Sequence, residues 1–290
     1  MKELVVISGK GGTGKTSLAA SFAVLAGNAV VADCDVDAAD LHLVLSPRLR
    51  EKHDFISGHQ AVIRPQDCSG CGTCSELCRF GAITGNSREN GTATFAVDPI
   101  ACEGCGVCVR FCPERAIDFP ESLCGAWMIS DTRCGPMVHA RLGVAAENSG
   151  KLVSLVRREA RRIAEEESRS MVIVDGPPGI GCPVIASLTG ASLVLVVTEP
   201  TVSGEHDLER VLALARHFDM PAAVCVNKWD LNPEMTERIE ERAKASGAMI
   251  AGRVRYDRGV TAAQLQERAV VETSAPCVED IRRIWDNLQL

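Results

Sequence analysis

The chain has 290 residues, 46% of them apolar, and a formal net charge of −7. That is enough apolar material for one large or two small cores, and the acidic balance excludes a broad electrostatic grip on nucleic acid or anionic lipid. The opening MKELVVISGKGG is too short an apolar run for a signal peptide and no stretch reaches membrane-spanning length, so a cytoplasmic location is expected. Fourteen cysteines in that compartment point to metal or redox chemistry rather than disulfides.

In chain order, residues 4–7 read as a buried strand and 18–26 as a helix. Between them SGKGGTGKTS fits G-x-x-x-x-G-K-[ST] as Gly9, Gly14, Lys15 and Thr16. Gly11, Gly12, Thr13, Gly14 and Ser17 complete a loop whose N–H groups would cradle phosphates at a helix N-terminus. Lys15 would reach the β/γ-phosphates and the Thr16 hydroxyl would bind Mg²⁺. The alternative is a bare glycine turn, disfavoured because Gly, Lys and Thr fall in register between strand and helix. A second strand, 28–32, ends in Asp33-Cys34-Asp35-Val36-Asp37, where carboxylates suit Mg²⁺ and water handling. Asp37 and Asp40 read as helix N-terminal charges, and Cys34 as a core filler. His42, His53 and His59 each stand alone.

After an expected strand at 60–64 the composition changes. Cys68, Cys71, Cys74 and Cys78 are spaced C-x2-C-x2-C-x3-C, and Cys102, Cys105, Cys108 and Cys112 repeat the spacing 34 residues on. This is the pattern of a bacterial-type ferredoxin with two [4Fe–4S] clusters, in which the fourth cysteine of each run serves the other cluster. One cluster would use Cys68, Cys71, Cys74 and Cys112, the other Cys78, Cys102, Cys105 and Cys108. Zinc is the alternative, since paired C-x2-C units also make Cys₄ sites, but three cysteines at this spacing, twice over, suit a cubane better. Arg79 stands where a proline usually follows the fourth cysteine. Turn residues at both ends divide the chain into a first part at 1–63, an insert at 64–120 and a second part at 121–290.

Residues 126–130 read as a strand, 131–133 as a loop, and Glu147-Asn148-Ser149-Gly150-Lys151 as the approach to a helix at 152–167. Arg157, Arg158, Arg161 and Arg162, interleaved with glutamates, read as a solvated helix face rather than a basic patch. An apolar strand at 171–175 ends in Asp175 and a Gly-Pro-Pro-Gly turn, with Cys182 beyond it. Further strands at 192–198, 222–226 and 250–254 follow. The strand at 222–226 runs into Asn227-Lys228-Trp229-Asp230, an N-K-x-D base-recognition signature whose Asp230 fits a guanine pattern. The helix at 278–288 is amphipathic with an acidic polar face, which favours packing on the domain over a membrane.

With Lys10 added, K-G-G-x-G-K-T resembles the deviant Walker A of the MinD/ParA/Mrp and nitrogenase iron protein group of ATPases. Together with the D-x-D and the cysteine insert, the chain looks like a MinD-superfamily ATPase carrying an inserted two-cluster ferredoxin domain. The resemblance implies an α/β fold, a mostly parallel sheet flanked by helices, with an α+β insert. It also implies ATP as nucleotide, with Asn227 reading adenine. Lys10 would act on a partner subunit's nucleotide, Asp35 would place the attacking water and help hold Mg²⁺, and Asp175 would hold the Mg²⁺ shell. Gly179 would sense the γ-phosphate. Expected partners are a second copy or a similar ATPase, and a redox protein, with neither nucleic acid nor membrane. Cys182 follows Asp175 by the offset at which the nitrogenase iron protein places a cluster ligand between subunits; the alternative is a small buried residue at a helix start. The leading function is an ATPase coupled to electron transfer. An Mrp-type cluster carrier and a MinD/ParA-like positioning ATPase are the alternatives.

Overall fold

The computed structural model describes residues 1–87, 93–143 and 149–289. Glu147 and Asn148, expected to lead into a helix, lie outside the described residues. The strands are β1 (Lys2–Ser8), β2 (Ala29–Asp33), β3 (Arg48–His59), β4 (Val62–Ile63), β5 (Ile83–Ser87), β6 (Ala93–Val97), β7 (Ile117–Asp118), β8 (Glu121–Thr132), β9 (Gly135–Leu142), β10 (Met171–Pro178), β11 (Leu193–Thr198), β12 (Ala222–Asn227) and β13 (Met249–Val254). The helices are α1 (Lys15–Ala26), α2 (Leu41–Leu45), α3 (Thr73–Leu77), α4 (Val107–Phe111), α5 (Ser149–Glu166), α6 (Cys182–Leu188), α7 (Val202–His217), α8 (Pro233–Ala245), α9 (Gly259–Gln264) and α10 (Cys277–Asn287).

The chain divides into two units, one of Met1–His53, Ala126–Arg141 and Asn148–Leu290, the other of Asp54–Gly125 and Leu142–Glu147. The cysteine-rich unit therefore begins at Asp54 rather than 64 and ends its main segment at Gly125 rather than 120. The long strands β3 and β8 cause the difference. β3 is exposed along most of its length and carries no apolar alternation by which it could be anticipated. The expected strand at 60–64 shrinks to β4, and the expected loop at 131–133 is the turn into β9.

The larger unit is organised by a sheet in the order β13-β12-β11-β1-β10-β2-β9-β8-β3. Pairing is parallel from β13 to β9. β1, β2 and β10 are Val/Ile/Ala runs buried on both faces, as a parallel sheet covered by helices requires. α1 packs closely because Ala19, Ala20, Ser21 and Ala23 on its buried positions are small, with Phe22 as the large anchor. Phe22 stacks on Trp285 of α10 with ring centroids 5.4 Å apart, and Ile281 and Ile284 complete the buried face. The apolar stripe of α10 is thus consumed by its own domain. Among the described residues no helix is long and apolar enough to cross a membrane.

Buried polar groups also hold the fold. Arg157, read from sequence as part of a solvated face, is 5% exposed. It pairs with buried Glu3 at 2.8 Å and donates to the carbonyls of Ala186 (2.7 Å) and Thr189 (3.1 Å). The other three arginines of the run pair with Glu3, Glu159 or Glu166. On β9, His139 Nε2 lies 2.9 Å from the Ser130 hydroxyl. Burial, assisted by His42, pushes its imidazole down to about 4. The folded chain therefore holds His139 neutral where the unfolded chain protonates it, and stability should be fully present above about pH 6.5 and fall as pH drops toward 4. Its share should be roughly 1–2 kcal/mol after allowance for partial exposure. Urea melts across that range should show a shallower acid loss for His139→Gln than for the natural chain.

Candidate functional site

The carboxyl ends of five parallel strands gather the chemistry, as expected where strand order reverses about β1. The loop after β1 wraps a cavity of roughly 430 Å³ lined by Gly11, Gly12, Gly14 and residues 15–18, with Asp35 and Asp40 on one side. Asp40 thus both precedes α2 and faces the cavity. Gly14 has φ +91°, and a Cβ there would stand 2.4 Å from Asn227 Nδ2. Asn227 needs that gap, because Nδ2 donates to the Thr13 carbonyl at 2.8 Å. Asn227 therefore braces the phosphate loop from β12, in addition to facing the cavity.

Lys15 is 5% exposed and stands 3.8 Å from Asp35. Asp175 and Asp33 are register partners on adjacent strands, and both are buried. Burial raises both carboxyl groups above the ordinary range, with mutual repulsion adding to it at Asp33. Burial also raises Asp35, against the pull of Lys15. Both oxygens of Asp175 and Oδ2 of Asp33 are buried without a hydrogen-bond partner. Orphaned buried carboxylates beside a threonine hydroxyl and a phosphate cradle fit a hydrated Mg²⁺, so Thr16, Asp35 and Asp175 form a suitable donor set. The Gly179 N–H, expected to sense a γ-phosphate, donates here to the Ser8 carbonyl at 2.8 Å.

At the base end the cavity is lined by Asn227, Lys228, residues 254–257, Val260, Thr261 and Gln264. Gln264 donates to the Ser17 hydroxyl at 3.0 Å. Asp230 is absent from that lining: its Oδ1 accepts the Tyr256 N–H at 2.6 Å, so it shapes the loop that borders the cavity. Gln264, and Glu199 which meets Lys10 and Lys228, belong to no motif, and sequence pattern gives no signal for either. Lys10 lies outside the cavity, 3.3 Å from Glu199.

The cysteine-rich unit repeats its backbone at the same 34-residue offset as its sequence. Gly70 and Gly104 both take positive φ, as do Gly72 and Gly106, which precede α3 and α4. Cys68, Cys71, Cys74 and Cys112 line one cavity with Ile63, Phe95 and Ile117. Cys112 thus joins the first run across 34 residues, and its Sγ accepts the Ala116 N–H at 3.3 Å. Cys102 and Cys105 lie close enough to Cys108 to raise its thiol, after burial, and Cys68 and Cys71 do the same to Cys74. Cys78, Cys102 and Cys108 pack on a small core of Ala61, Ile63, Ile83 and Ile117. Among the described residues no three His, Cys, Asp or Glu side chains are placed to hold a single metal ion.

Cys182 is exposed at the start of α6, which overturns its reading as a buried filler. It lines a groove between α5 and α6 with Gly150 and Lys151. Cys34, Cys134, Cys225 and Cys277 are buried.

A family model described as the CobQ/CobB/MinD/ParA nucleotide binding domain matches residues 4–270. The chain belongs to that family. The uncharacterized protein MJ0578 of Methanocaldococcus jannaschii is 32% identical over 233 residues, 79% of each chain. Among solved structures, this family member is similar to the cell division ATPase MinD of Pyrococcus furiosus, with a TM-score of 0.58 at 14% identity, covering 99% of this chain and 98% of that one. It is similar also to MinD of Pyrococcus horikoshii complexed with Mg-ADP, at 0.56 and 13%, covering 99% and 95%. At such identities the likeness establishes the fold: an α/β domain with a mostly parallel sheet flanked by helices.

Proposed function

We propose that the chain is a cytoplasmic Mg²⁺-dependent ATPase that works as a nucleotide-dependent pair and couples ATP turnover to electron transfer through two [4Fe–4S] clusters. The observation that carries the redox half is the single cavity shared by Cys68, Cys71, Cys74 and Cys112, the ligand set that the crossed ferredoxin pattern requires. A zinc ion would draw four sulfurs to about 2.3 Å of one point, whereas a cubane offers its irons at separate corners of a wider frame. Bound clusters would supply one-electron chemistry, and the cysteine loops would set their potential through N–H···S bonds and burial.

For the nucleotide half, Lys15 and the loop amides bind the phosphates and offset charge that develops on them. Thr16, Asp35 and Asp175 hold the Mg²⁺ shell, and Asp35 orients the attacking water. Asn227 and the segment from Arg255 to Asp257 enclose the base. Lys10 stands outside its own cavity, which supports a role at the nucleotide of a second copy or a similar ATPase. A redox protein would be the further partner.

Anaerobic purification with iron and sulfide counting and EPR tests this reading: eight irons per chain are expected, and zinc or fewer than half that iron sinks the redox half. Reducing the clusters should then change ATP turnover or pair affinity, and equal kinetics in both redox states removes the coupling. Cys182→Ala should also be counted, since loss of iron beyond eight per chain would mark a cluster bridging two copies. A positioning role is the second reading, favoured by the fold similarity to MinD; ATP-dependent lipid binding or filaments would support it.

A further inference from the structure

The first lysine of the phosphate loop is held by its own chain. Lys10 Nζ lies 3.3 Å from Glu199 Oε2, and 3.5 and 3.4 Å from the hydroxyls of Thr201 and Ser203. These acceptors are fixed in place by other bonds. Thr201 caps α7 by accepting the Gly204 N–H at 3.0 Å. Gly9 meets α7 so closely that a Cβ there would come within 2.3 Å of Asp207 Cβ. The phosphate loop and the start of α7 are therefore locked together, and the loop's first lysine falls on a receptor already shaped for it.

Glu199 serves a second cation. Its Oε1 accepts from Lys228, the residue after Asn227 at the base end of the cavity. Two lysines from opposite ends of the site thus converge on one carboxylate, which is 15% exposed against 32% for Lys10. One lysine already balances the charge of Glu199, so removing Lys10 leaves a neutral pair behind rather than a stranded buried anion. Release is cheap for that reason. A partly exposed ion pair contributes up to about 1 kcal/mol, which corresponds to roughly fivefold in an equilibrium. That is strong enough to bias where Lys10 rests and weak enough for phosphate oxygens to displace it.

We infer that Glu199 is a cis latch that holds Lys10 on its own chain until a second copy with bound ATP offers phosphate oxygens in exchange. The latch rests on the reading of Lys10 as acting across a pair, and it adds a residue that sets the threshold for pairing. Glu199 is a positioning residue, acting through Lys10 on the partner's nucleotide.

The test uses the full chain with its insert intact. Nucleotide-free protein is treated with an amine-reactive reagent and modification of Lys10 is read by mass spectrometry; pair affinity with ATP and Mg²⁺ is read by sedimentation. Glu199→Gln should raise Lys10 labelling and strengthen pairing by roughly fivefold for each copy's latch released, and Glu199→Asp should move both readouts the same way by less. Lys228→Met leaves Glu199 to Lys10 alone and should lower Lys10 labelling, an opposite sign that general damage would not produce. Unchanged labelling in Glu199→Gln, or raised labelling with unchanged or weaker pairing, overturns the latch. If the natural chain pairs with ATP and Lys10→Ala abolishes pairing while Glu199→Gln does nothing, only the latch fails. If the natural chain stays monomeric with ATP and Mg²⁺, the paired reading fails and takes the latch with it.

Discussion

Lys15→Ala is expected to lower ATP turnover by at least about 100-fold with the fold intact, an effect of the size seen when one preorganised charge donor is removed from a reacting centre. Lys15 is nearly buried inside the phosphate cavity, so its ammonium meets phosphate oxygens with little water to screen it. Lys15→Arg should not rescue turnover, because a planar guanidinium is wider than the point charge this glycine-walled loop encloses. A second readout has the opposite sign. Lys15 is the cation that lowers Asp35 and Asp175 against the burial that raises them. Without it, the two carboxyls lose their counter-charge, and calorimetry on the nucleotide-free variant should show tighter Mg²⁺ binding than the natural chain. Single-turnover hydrolysis at saturating ATP checks the first expectation; equal rates would remove Lys15 from the chemistry.

Arg157→Ala should cost the fold roughly 3–5 kcal/mol in urea unfolding, more than His139→Gln. The arginine and Glu3 are both buried, and truncation strands the carboxylate along with the carbonyls of Ala186 and Thr189. Arg161, still paired with Glu3, should keep the loss toward the lower end of that range. Glu3→Gln should cost less, because it leaves no buried charge without a partner beyond the arginine that Ala186 and Thr189 already occupy. A loss below about 1 kcal/mol for Arg157→Ala would return the residue to the solvated face that its sequence context suggests.

That arginine illustrates what can and cannot be read from sequence. Its helix interleaves arginine with glutamate, and local charge pairing hides the buried guanidinium of Arg157, which with Arg161 reaches Glu3 at the far end of the chain. β10, β11 and β12 are legible because burial on both faces leaves an uninterrupted apolar run. β3 is not, since its exposed residues follow no period. The phosphate loop is legible because its chemistry sits in ten consecutive residues. The seat of Lys10 is not, because Glu199 and Thr201 lie in a distant loop and form no motif with it. Pattern alone assigns Asp230 to the base, whereas the Tyr256 N–H claims it. The exposure of Cys182 likewise depends on how α6 begins, which its offset from Asp175 does not specify.

The strand order has a consequence for how the molecule is made. β1 emerges from the ribosome first, yet it is flanked by β10 and β11, which begin at Met171 and Leu193. At about 5–20 residues per second, the nascent Val/Ile strand waits on the order of ten to thirty seconds for either neighbour. Its hydrogen-bonding edges stay open through that interval, so chaperones that hold nascent chains have a defined segment to shield. The cysteine segment is fully translated during the same wait. Its thiols therefore meet the cell before β1 gains either neighbour, so chemistry at them can begin while the sheet of the larger unit is still incomplete.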